Sequence, residues 1–408
     1  MLLDDNNNRA VVDFLRGAGI LLVIGFHVVI GMAVLLLESG GQPQYIEALP
    51  AVMNVFWQAL GSELIFLASG FLLSYLLIRE LRNSGRISVR DFYIRRGSRI
   101  VPMYLIAIAL YALVRDFEPW ELIVNLLFVS KWFDAETIIP VGWSLEVLVQ
   151  AYLLLPWVVM LLYRIGRPVL LCLLGLAIAL SLRAAAQMLE PSSYQVLPHE
   201  LIGGVEPTQT QDDLYYLLWF RLTPFLLGLL LAHLVVHEQE RFRRWFSNGW
   251  LAVTVVIIGI ALIVVSGFLP IQDSASFVYS WTGEAFWLWF WTLQRLVFAM
   301  GCCMLAVGLW YSKLPAMAPL EWLAQRRIWG RLSAGIYSIY LFHPIFLIPS
   351  AVIGFRATAV EQLGNVHVLE ILAVIVLTAA MSLLLAMLLT RFVELPAQRW
   401  IRARLGRA

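Results

Sequence analysis

Charged residues are scarce in this sequence. Only 14% of its 408 residues are Asp, Glu, Lys or Arg, whereas 61% are hydrophobic. Soluble domains contain about a quarter charged and about half apolar residues, so this composition excludes an ordinary soluble protein. It predicts a polytopic membrane protein surrounded by membrane lipids. The net charge of +2 says nothing about nucleic acid. We interpret the basic residues as markers of topology and expect no nucleic-acid partner.

Cysteine is also rare. Cys172, Cys302 and Cys303 all lie inside apolar runs, where we interpret them as small buried hydrophobic side chains. Their spacing matches no metal-binding motif, so we expect no metal site. The sequence also lacks a signal peptide of the usual form, because the first apolar run is too long and follows an acidic, Asn-rich head. We therefore predict that this run is a retained membrane span.

Long apolar runs, in contrast, fill the chain. A spanning helix needs about 20 mainly apolar residues, and we predict ten such helices, the third of them short unless it begins in the basic stretch before it. They lie at residues 11–37, 51–78, 100–114, 143–163, 168–189, 214–236, 250–268, 286–311, 333–354 and 368–393. The fold class is therefore all-α, a bundle of about ten transmembrane helices. If the helices alternate in direction, most of the 29 Lys and Arg fall on the side of both termini, which predicts cytoplasmic termini.

Two ionisable residues stand inside the first apolar run. Arg16 and His27 are 11 residues apart, and at about 100° per residue they share one face of the helix. At about 1.5 Å per residue they are separated by roughly 16 Å along the axis. Ionisable groups within membrane helices are functional candidates. A neutral His27 can accept a proton, whereas Arg16 offers a fixed cation near one end.

Further candidates lie in the next three segments. Arg96 and Arg99 are one helical turn apart at a membrane entrance, where guanidinium groups bind either ligand phosphates or lipid headgroups. Glu63 has a depth similar to that of His27, and two interpretations are open: it orients the imidazole, or it is a protonated structural residue. Glu146 and Trp143 lie nearer the outer face, where a carboxylate and an aromatic plane suit sugar binding, although Trp143 also suits the interfacial belt.

Several other polar residues carry weaker signals. Arg295 lies within a predicted span and must pair or line a cavity, with no role assigned. His343 precedes Pro344 and is interpreted as ending a hydrogen-bonded turn, and His199 as a solvated loop residue. Ser69 is followed by glycine, which inside a helix indicates close packing more than a nucleophile.

Taken together, these motifs resemble the acyltransferase-3 membrane enzymes, which O-acylate bacterial glycans. Order and spacing hold over nearly the whole chain. The matching motifs are Asp13-x-x-Arg16-Gly17 with His27, residues 61–73, Phe92 to Tyr104, Trp143 to Pro156, the weaker Arg221 to Gly228 and Tyr340 to His343, and the close Phe392 to Pro396. The sequence departs from the family at Glu63, where Asp is common, at Leu148, where a second acid often stands, and at Thr223-Pro224, where an acid often follows.

The resemblance implies an enzyme that moves an acyl group, most simply acetyl, from a cytoplasmic CoA thioester to a hydroxyl of a cell-surface or exported glycan such as lipopolysaccharide. It implies a bacterial inner-membrane protein with a single transmembrane domain over 1–408 and no fused extracytoplasmic domain. Acyl-CoA is then a co-substrate, with no tightly bound cofactor. The resemblance assigns catalysis to His27, as general base or transient acyl carrier, and to Glu63. It assigns CoA binding to Arg16, Arg96 and Arg99. It assigns glycan binding to Trp143, Glu146 and Arg221.

Two other classes of function also fit a polytopic membrane protein. A transporter is the main alternative, because ten helices, intramembrane ions and the Ser69-Gly70 pair suit alternating access; the sequence shows no internal repeat. A glycosyltransferase that uses lipid-linked sugars would place acids in an early exterior loop, and residues 38–50 carry only Glu38 and Glu47. No pattern indicates an oligomeric state.

Overall fold

The computed structural model of this protein is almost entirely helical. It describes residues 2–38, 51–190, 200, 205–247, 249–271, 273, 275–283, 288–312, 314–355 and 368–405. No β-strand occurs in these ranges. The predicted all-α fold is confirmed. His199 and most of the first exterior loop, residues 39–50, lie outside the described ranges.

Thirteen helices are labelled in chain order. They are α1 (Asn6–Glu38), α2 (Gly61–Ser84), α3 (Val89–Tyr111), α4 (Gly142–Ile165), α5 (Pro168–Leu189), α6 (Gln209–Tyr216), α7 (Leu222–His237), α8 (Gly249–Gly267), α9 (Gln294–Tyr311), α10 (Arg327–Phe342), α11 (Leu347–Phe355), α12 (Val368–Leu389) and α13 (Leu395–Leu405). Shorter helical pieces are Leu2–Asp4, Ala51–Met53, Asn54–Trp57, Pro119–Leu126, Ser130–Trp132, Leu218–Phe220, Gln239–Phe246, Phe277–Thr282, Pro315–Met317, Ala318–Ala324 and His343–Phe346. Two π-helical turns occur at Leu288–Leu293 and Thr390–Glu394.

Each of the ten predicted spans contains a long helix, but not every one has the length and composition of a membrane span. Within the described ranges, eight helices meet both criteria. A ninth is added if α7 and the following helix Gln239–Phe246, bent by 85°, form one broken span. The third predicted span is α3, which does begin in the basic stretch, at Val89, and its arginines lower its apolar character. The side on which the termini lie stays a prediction.

Local sequence signals explain several helix ends. Ser88 precedes α3, and its side chain accepts a hydrogen bond from the backbone N–H of Asp91, which is the usual N-cap arrangement. The helices α2 and α4 end at Gly85 and Gly166, whose φ angles are +72° and +77°. Glycine tolerates this left-handed conformation without steric cost, so these two positions stop the helices cleanly.

The helix α1 is central, because it contributes buried side chains to both large hydrophobic clusters. Its backbone meets α2 directly: a Cβ placed on Gly61 would lie 2.5 Å from the backbone nitrogen of Val23. On the other side of α2, a Cβ on Gly70 would lie 2.9 Å from Cα of Phe225 in α7. Small residues thus bring α1, α2 and α7 into backbone contact, as predicted for the Ser69-Gly70 pair.

Candidate functional site

A cavity of about 230 Å³ opens between α1, α2, α3, α4 and α10. It is lined by Arg16, Arg96 and Arg99 together, so the structure assembles the three arginines that the sequence assigned to one ligand. Besides these cations, its walls are mainly apolar. Its hydroxyl-bearing residues are Ser62, Ser69, Ser144, Tyr152, Tyr337 and Tyr340. We call this space the arginine cavity.

Two of these arginines are held by neighbouring residues of α10. Arg16 donates from Nη1 to Ser333 Oγ (2.8 Å), and Ser333 donates in turn to Asp13 Oδ1 (2.5 Å). Arg99 donates from Nη2 to the carbonyl of Ala334 (3.1 Å) and pairs through Nε with Glu394 (3.3 Å). The sequence had not marked Ser333, because a serine in a helix gives no signal until its tertiary partner is known.

A smaller pocket of about 20 Å³ is lined by His27, Trp143 and Tyr215. It shares Ser62 and Tyr340 with the arginine cavity, so the two spaces adjoin at these side chains. We call this space the His27 pocket. Arg16 and His27 therefore line adjoining spaces, as their shared helix face predicts.

The tyrosine at this junction is fixed in position. Tyr340 donates from its hydroxyl to the carbonyl of Val141 (3.0 Å), and it accepts a hydrogen bond from Ser144 Oγ. Its hydroxyl hydrogen is thus already committed, so Tyr340 acts as a wall between the two spaces. The geometry gives it no open donor toward a ligand.

Hydrogen bonds determine which nitrogen of His27 is available. Its Nδ1 lies 2.8 Å from the carbonyl oxygen of Val23 and 3.2 Å from Nε2 of His343. A carbonyl can only accept, so Nδ1 carries the hydrogen and, in the neutral ring, Nε2 keeps an unprotonated lone pair. His343 has the same tautomer, because its Nδ1 donates to the carbonyl of Tyr340 (2.8 Å). Its Nε2 therefore faces the Nδ1–H of His27 as an acceptor.

The contact between the two imidazoles was missed at the sequence level. His343 does bond within its local turn, to Tyr340 three residues earlier, as interpreted from the following proline. Its second bond reaches α1, across 316 residues of sequence. No local pattern predicts such a pair, although both residues stood within family-like motifs.

Glu63 is placed in a different environment from that of His27. Its Oε1 accepts from Arg221 Nη1 and from Arg295 Nε (3.0 Å), and all three side chains are buried. Arg295, unassigned from sequence, thus finds its partner. The orienting role predicted for Glu63 gains no direct contact, since the bonds that orient His27 run to Val23 and His343.

Two arginines contact this carboxylate, and a third, Arg183, interacts with it electrostatically. We call the group the buried arginine cluster, consisting of Glu63, Arg183, Arg221 and Arg295. Arg183 donates to the backbone carbonyls at 291, 220 and 214. Arg221 lies under the rings of Trp143 and Tyr215, at 5.1 and 4.5 Å from their centroids. Because these two rings also line the His27 pocket, the cluster supports one wall of that pocket through cation–π contacts.

The acceptor residues predicted from sequence therefore separate. Trp143 lines the His27 pocket, Arg221 supports it from behind, and Glu146 lines neither space. Glu146 is 2% exposed and accepts hydrogen bonds from Ser130 Oγ (2.5 Å) and from the backbone N–H of Lys131 (3.4 Å). It anchors the turn Ser130–Trp132 to α4.

Aromatic rings lead from the His27 pocket toward this turn. Trp143 lies 4.7 Å from Tyr215, and Tyr215 lies 5.1 Å from Tyr216, measured between ring centroids. The Lys131 ammonium sits 4.8 Å above the ring of Tyr216. The next residue, Trp132, is 51% exposed. The sequence reasoning had not selected the two tyrosines, which lie on the short helix α6.

Comparisons with known proteins identify the family. A family model described as an acyltransferase domain, acyltransferase-3, matches residues 9–391. The O-acetyltransferase OatA of Staphylococcus aureus is 26% identical over 376 residues, covering 85% of this chain and 54% of the relative; this chain therefore spans about half the length of that protein. An uncharacterized protein of Haemophilus influenzae is 27% identical over 190 residues, covering 42% of this chain and 73% of its own. No solved structure matches.

Proposed function

Because this chain belongs to the acyltransferase-3 family of integral membrane acyltransferases, we propose that it moves an acyl group, most simply acetyl, from acyl-CoA to a hydroxyl of a cell-surface or exported glycan. The observation that carries the proposal is the junction of the arginine cavity with the His27 pocket at Ser62 and Tyr340. One space suits an anionic donor and the other holds a base. The thioester and the hydroxyl would meet where they adjoin.

The donor would enter from the arginine end. Arg16, Arg96 and Arg99 would bind the phosphates of CoA, since guanidinium groups form charge-assisted, often bidentate bonds with phosphate oxygens. The pantetheine arm would extend along the apolar wall toward Ser62. This end is proposed to face the cytoplasm of a bacterial inner membrane, where the positive-inside tendency of Lys and Arg would place it.

The chemistry would use the lone pair on Nε2 of His27. This nitrogen takes the proton of the acceptor hydroxyl while the hydroxyl oxygen attacks the thioester carbonyl carbon. The tetrahedral intermediate then expels the CoA thiolate, which receives the proton from the imidazolium. General-base assistance of this kind contributes typically about 10²–10⁴-fold. Val23 and His343 would stabilise the imidazolium by accepting from its Nδ1–H.

The acceptor would approach along the aromatic rings. Sugar rings present apolar C–H faces that stack on aromatic planes, and Trp143 with Tyr215 supplies such planes beside His27. Arg221 and Glu63 would hold these planes in place. Glu146 would contribute indirectly, by fixing the turn that carries Lys131.

The test is transfer by the purified protein in lipid nanodiscs. With acetyl-CoA and a mixed bacterial glycan fraction, the expected result is release of the free CoA thiol and acetate esterified to the glycan. His27→Ala should abolish both signals. A matched control is His233→Ala, because His233 bonds to Tyr163 (2.7 Å) and lines neither space. Movement of glycan across the membrane without thiol release would support the transporter alternative.

A further inference from the structure

A buried carboxylate lies beside the arginine cavity and has no part in the mechanism so far. Glu394 ends the π-helical turn Thr390–Glu394 between α12 and α13. Its Oε1 forms an ion pair with Arg99 Nε (3.3 Å) and accepts a hydrogen bond from Gln398 Nε2 (3.0 Å), and its Oε2 accepts from Thr390 Oγ1 (3.2 Å). The side chain is therefore held by its own segment before it meets Arg99. Single π-helical turns of this kind often occur at functional sites, because they redirect a side chain.

The contacts of Arg99 occupy one edge of its guanidinium group. Glu394 forms an ion pair with Nε, and the carbonyl of Ala334 accepts one hydrogen bond from Nη2. The Nη1 group forms no hydrogen bond with the part of the chain that the structure describes. Because the guanidinium is planar and rigid, fixing the Nε edge also fixes the direction of the opposite edge. That edge, formed by Nη1 and the second hydrogen of Nη2, can donate hydrogen bonds to two oxygens of one phosphate.

The segment that carries Glu394 is bound to the same helix as the donor arginines. Arg90, at the start of α3, donates from Nη2 to the carbonyl of Leu405 at the end of α13 (2.6 Å). Arg96 and Arg99 lie further along α3 and line the arginine cavity. The helix α13 is therefore tied to α3 at both ends, by Arg90 and by Arg99.

We propose that Glu394 is a positioning residue of the donor site, which holds Arg99 so that its open edge meets a phosphate of CoA. This inference rests on the proposed function. Two effects of Glu394 oppose each other: its charge repels a phosphate, and its contact with Arg99 Nε orients the guanidinium group. Orientation is the effect that the geometry favours, because Glu394 is fixed from behind by Thr390 and Gln398.

Two substitutions separate these effects. Glu394→Gln keeps an oxygen for Arg99 Nε and removes the charge; Thr390 and Gln398 can both accept from the new amide. Glu394→Ala removes both the charge and the contact with Arg99 Nε. If orientation dominates, Glu394→Ala raises the KM for acetyl-CoA about tenfold, the size expected from one misplaced charge-assisted bond. Glu394→Gln should then stay within about twofold of wild type, since its acceptor oxygen remains.

The experiment compares acetyl-CoA with S-acetylpantetheine, which lacks the nucleotide phosphates, in nanodiscs holding the full chain. Glu394→Ala should affect only acetyl-CoA and leave kcat unchanged. In an Arg99→Ala background it should have no further effect. Glu240→Ala, which breaks the exposed pair with Arg243 (3.2 Å), is the control and should change nothing.

Three results would overturn the inference: equal losses with both donors, tighter acetyl-CoA binding by both Gln and Ala variants, or an unaltered KM for Glu394→Ala. If Glu394→Ala does not fold, Glu394→Asp gives the same test, because it withdraws the carboxylate from Arg99 and keeps the charge. Binding of CoA to the wild-type protein is measured first. If it is absent, the proposed donor fails before Glu394 is tested.

Discussion

Two groups of three arginines lie inside this protein, and they occupy opposite kinds of environment. Arg16, Arg96 and Arg99 line an open cavity. Arg183, Arg221 and Arg295 are at most 4% exposed and are bonded to backbone carbonyls or to Glu63. Arg16 and Arg99 keep side-chain nitrogens that form no hydrogen bond within the described residues. In the second group, Arg183 bonds to carbonyls through all three of its side-chain nitrogens, whereas Arg221 Nη2 and Arg295 Nη1 are buried without a hydrogen-bond partner there.

The comparison shows that an intramembrane arginine is not by itself evidence of a ligand. Burying a charge requires compensation, and the buried arginine cluster obtains it from one carboxylate, several carbonyls and aromatic faces. Of the cavity arginines, Arg16 and Arg99 are only partly compensated, by Ser333, Ala334 and Glu394. A phosphate-bearing ligand would supply what is missing there.

The largest effect on stability is expected when the carboxylate of the buried arginine cluster is removed. Glu63→Gln leaves Arg221 and Arg295 without their anion, and losing one partner of a buried pair costs about 3–5 kcal/mol of folding free energy. We expect a large drop in unfolding temperature in detergent. Arg79→Gln, which breaks an exposed pair with Asp4 (3.0 Å), is the control. A stable Glu63→Gln protein with kcat reduced at least tenfold would instead support the orienting role predicted from sequence.

Removing a cavity arginine should weaken donor binding more than it lowers the stability of the fold. Arg96→Ala and Arg99→Ala each lose a charge-assisted bond to phosphate, worth about 1.5–3 kcal/mol, so the KM for acetyl-CoA should rise roughly 10- to 150-fold. Thermal stability should fall less than in Glu63→Gln, because Glu394, the anion that Arg99→Ala leaves behind, keeps hydrogen bonds from Thr390 and Gln398. The measurement pairs steady-state kinetics with S-acetylpantetheine as donor. Equal losses with both donors would assign these arginines to the fold.

A smaller effect is expected at the hydrogen-bonded pair of His27 and His343. His343→Ala removes the acceptor for the Nδ1–H of His27 but leaves the bond to Val23, so we expect kcat to fall about tenfold, equivalent to roughly 1.4 kcal/mol. His343→Gln, whose Oε1 can still accept, should recover part of the rate. Unchanged kcat in His343→Ala would leave the carbonyl of Val23 as the sole orienting group.

The sequence predicted the helical bundle and the three cavity arginines because both leave local patterns: apolar runs, and basic residues at helical spacing. It did not predict the partners. The contacts of Glu63 with Arg221 and Arg295, and of His343 with His27, join residues more than 150 positions apart. Their existence depends on which helices pack together, and glycines such as Gly61 and Gly70 decide that through backbone contact.

The smallest expected effect sharpens the contrast at Arg16. Ser333→Ala removes the hydroxyl that links Arg16 to Asp13 and leaves the guanidinium in the cavity. Because Arg16 keeps its charge in the cavity and only its position is loosened, the KM for acetyl-CoA should rise about two- to tenfold, with kcat unchanged. Ser338→Ala is the matched control, since Ser338 lies on the same helix and its buried Oγ has no hydrogen-bond partner within the described residues. It should alter neither KM nor stability.

If the two serine variants behave alike, Arg16 is held by something other than Ser333. If Ser333→Ala lowers the KM, the serine restrains Arg16 from the donor, and the cavity arginines are less prepared for phosphate than their contacts suggest.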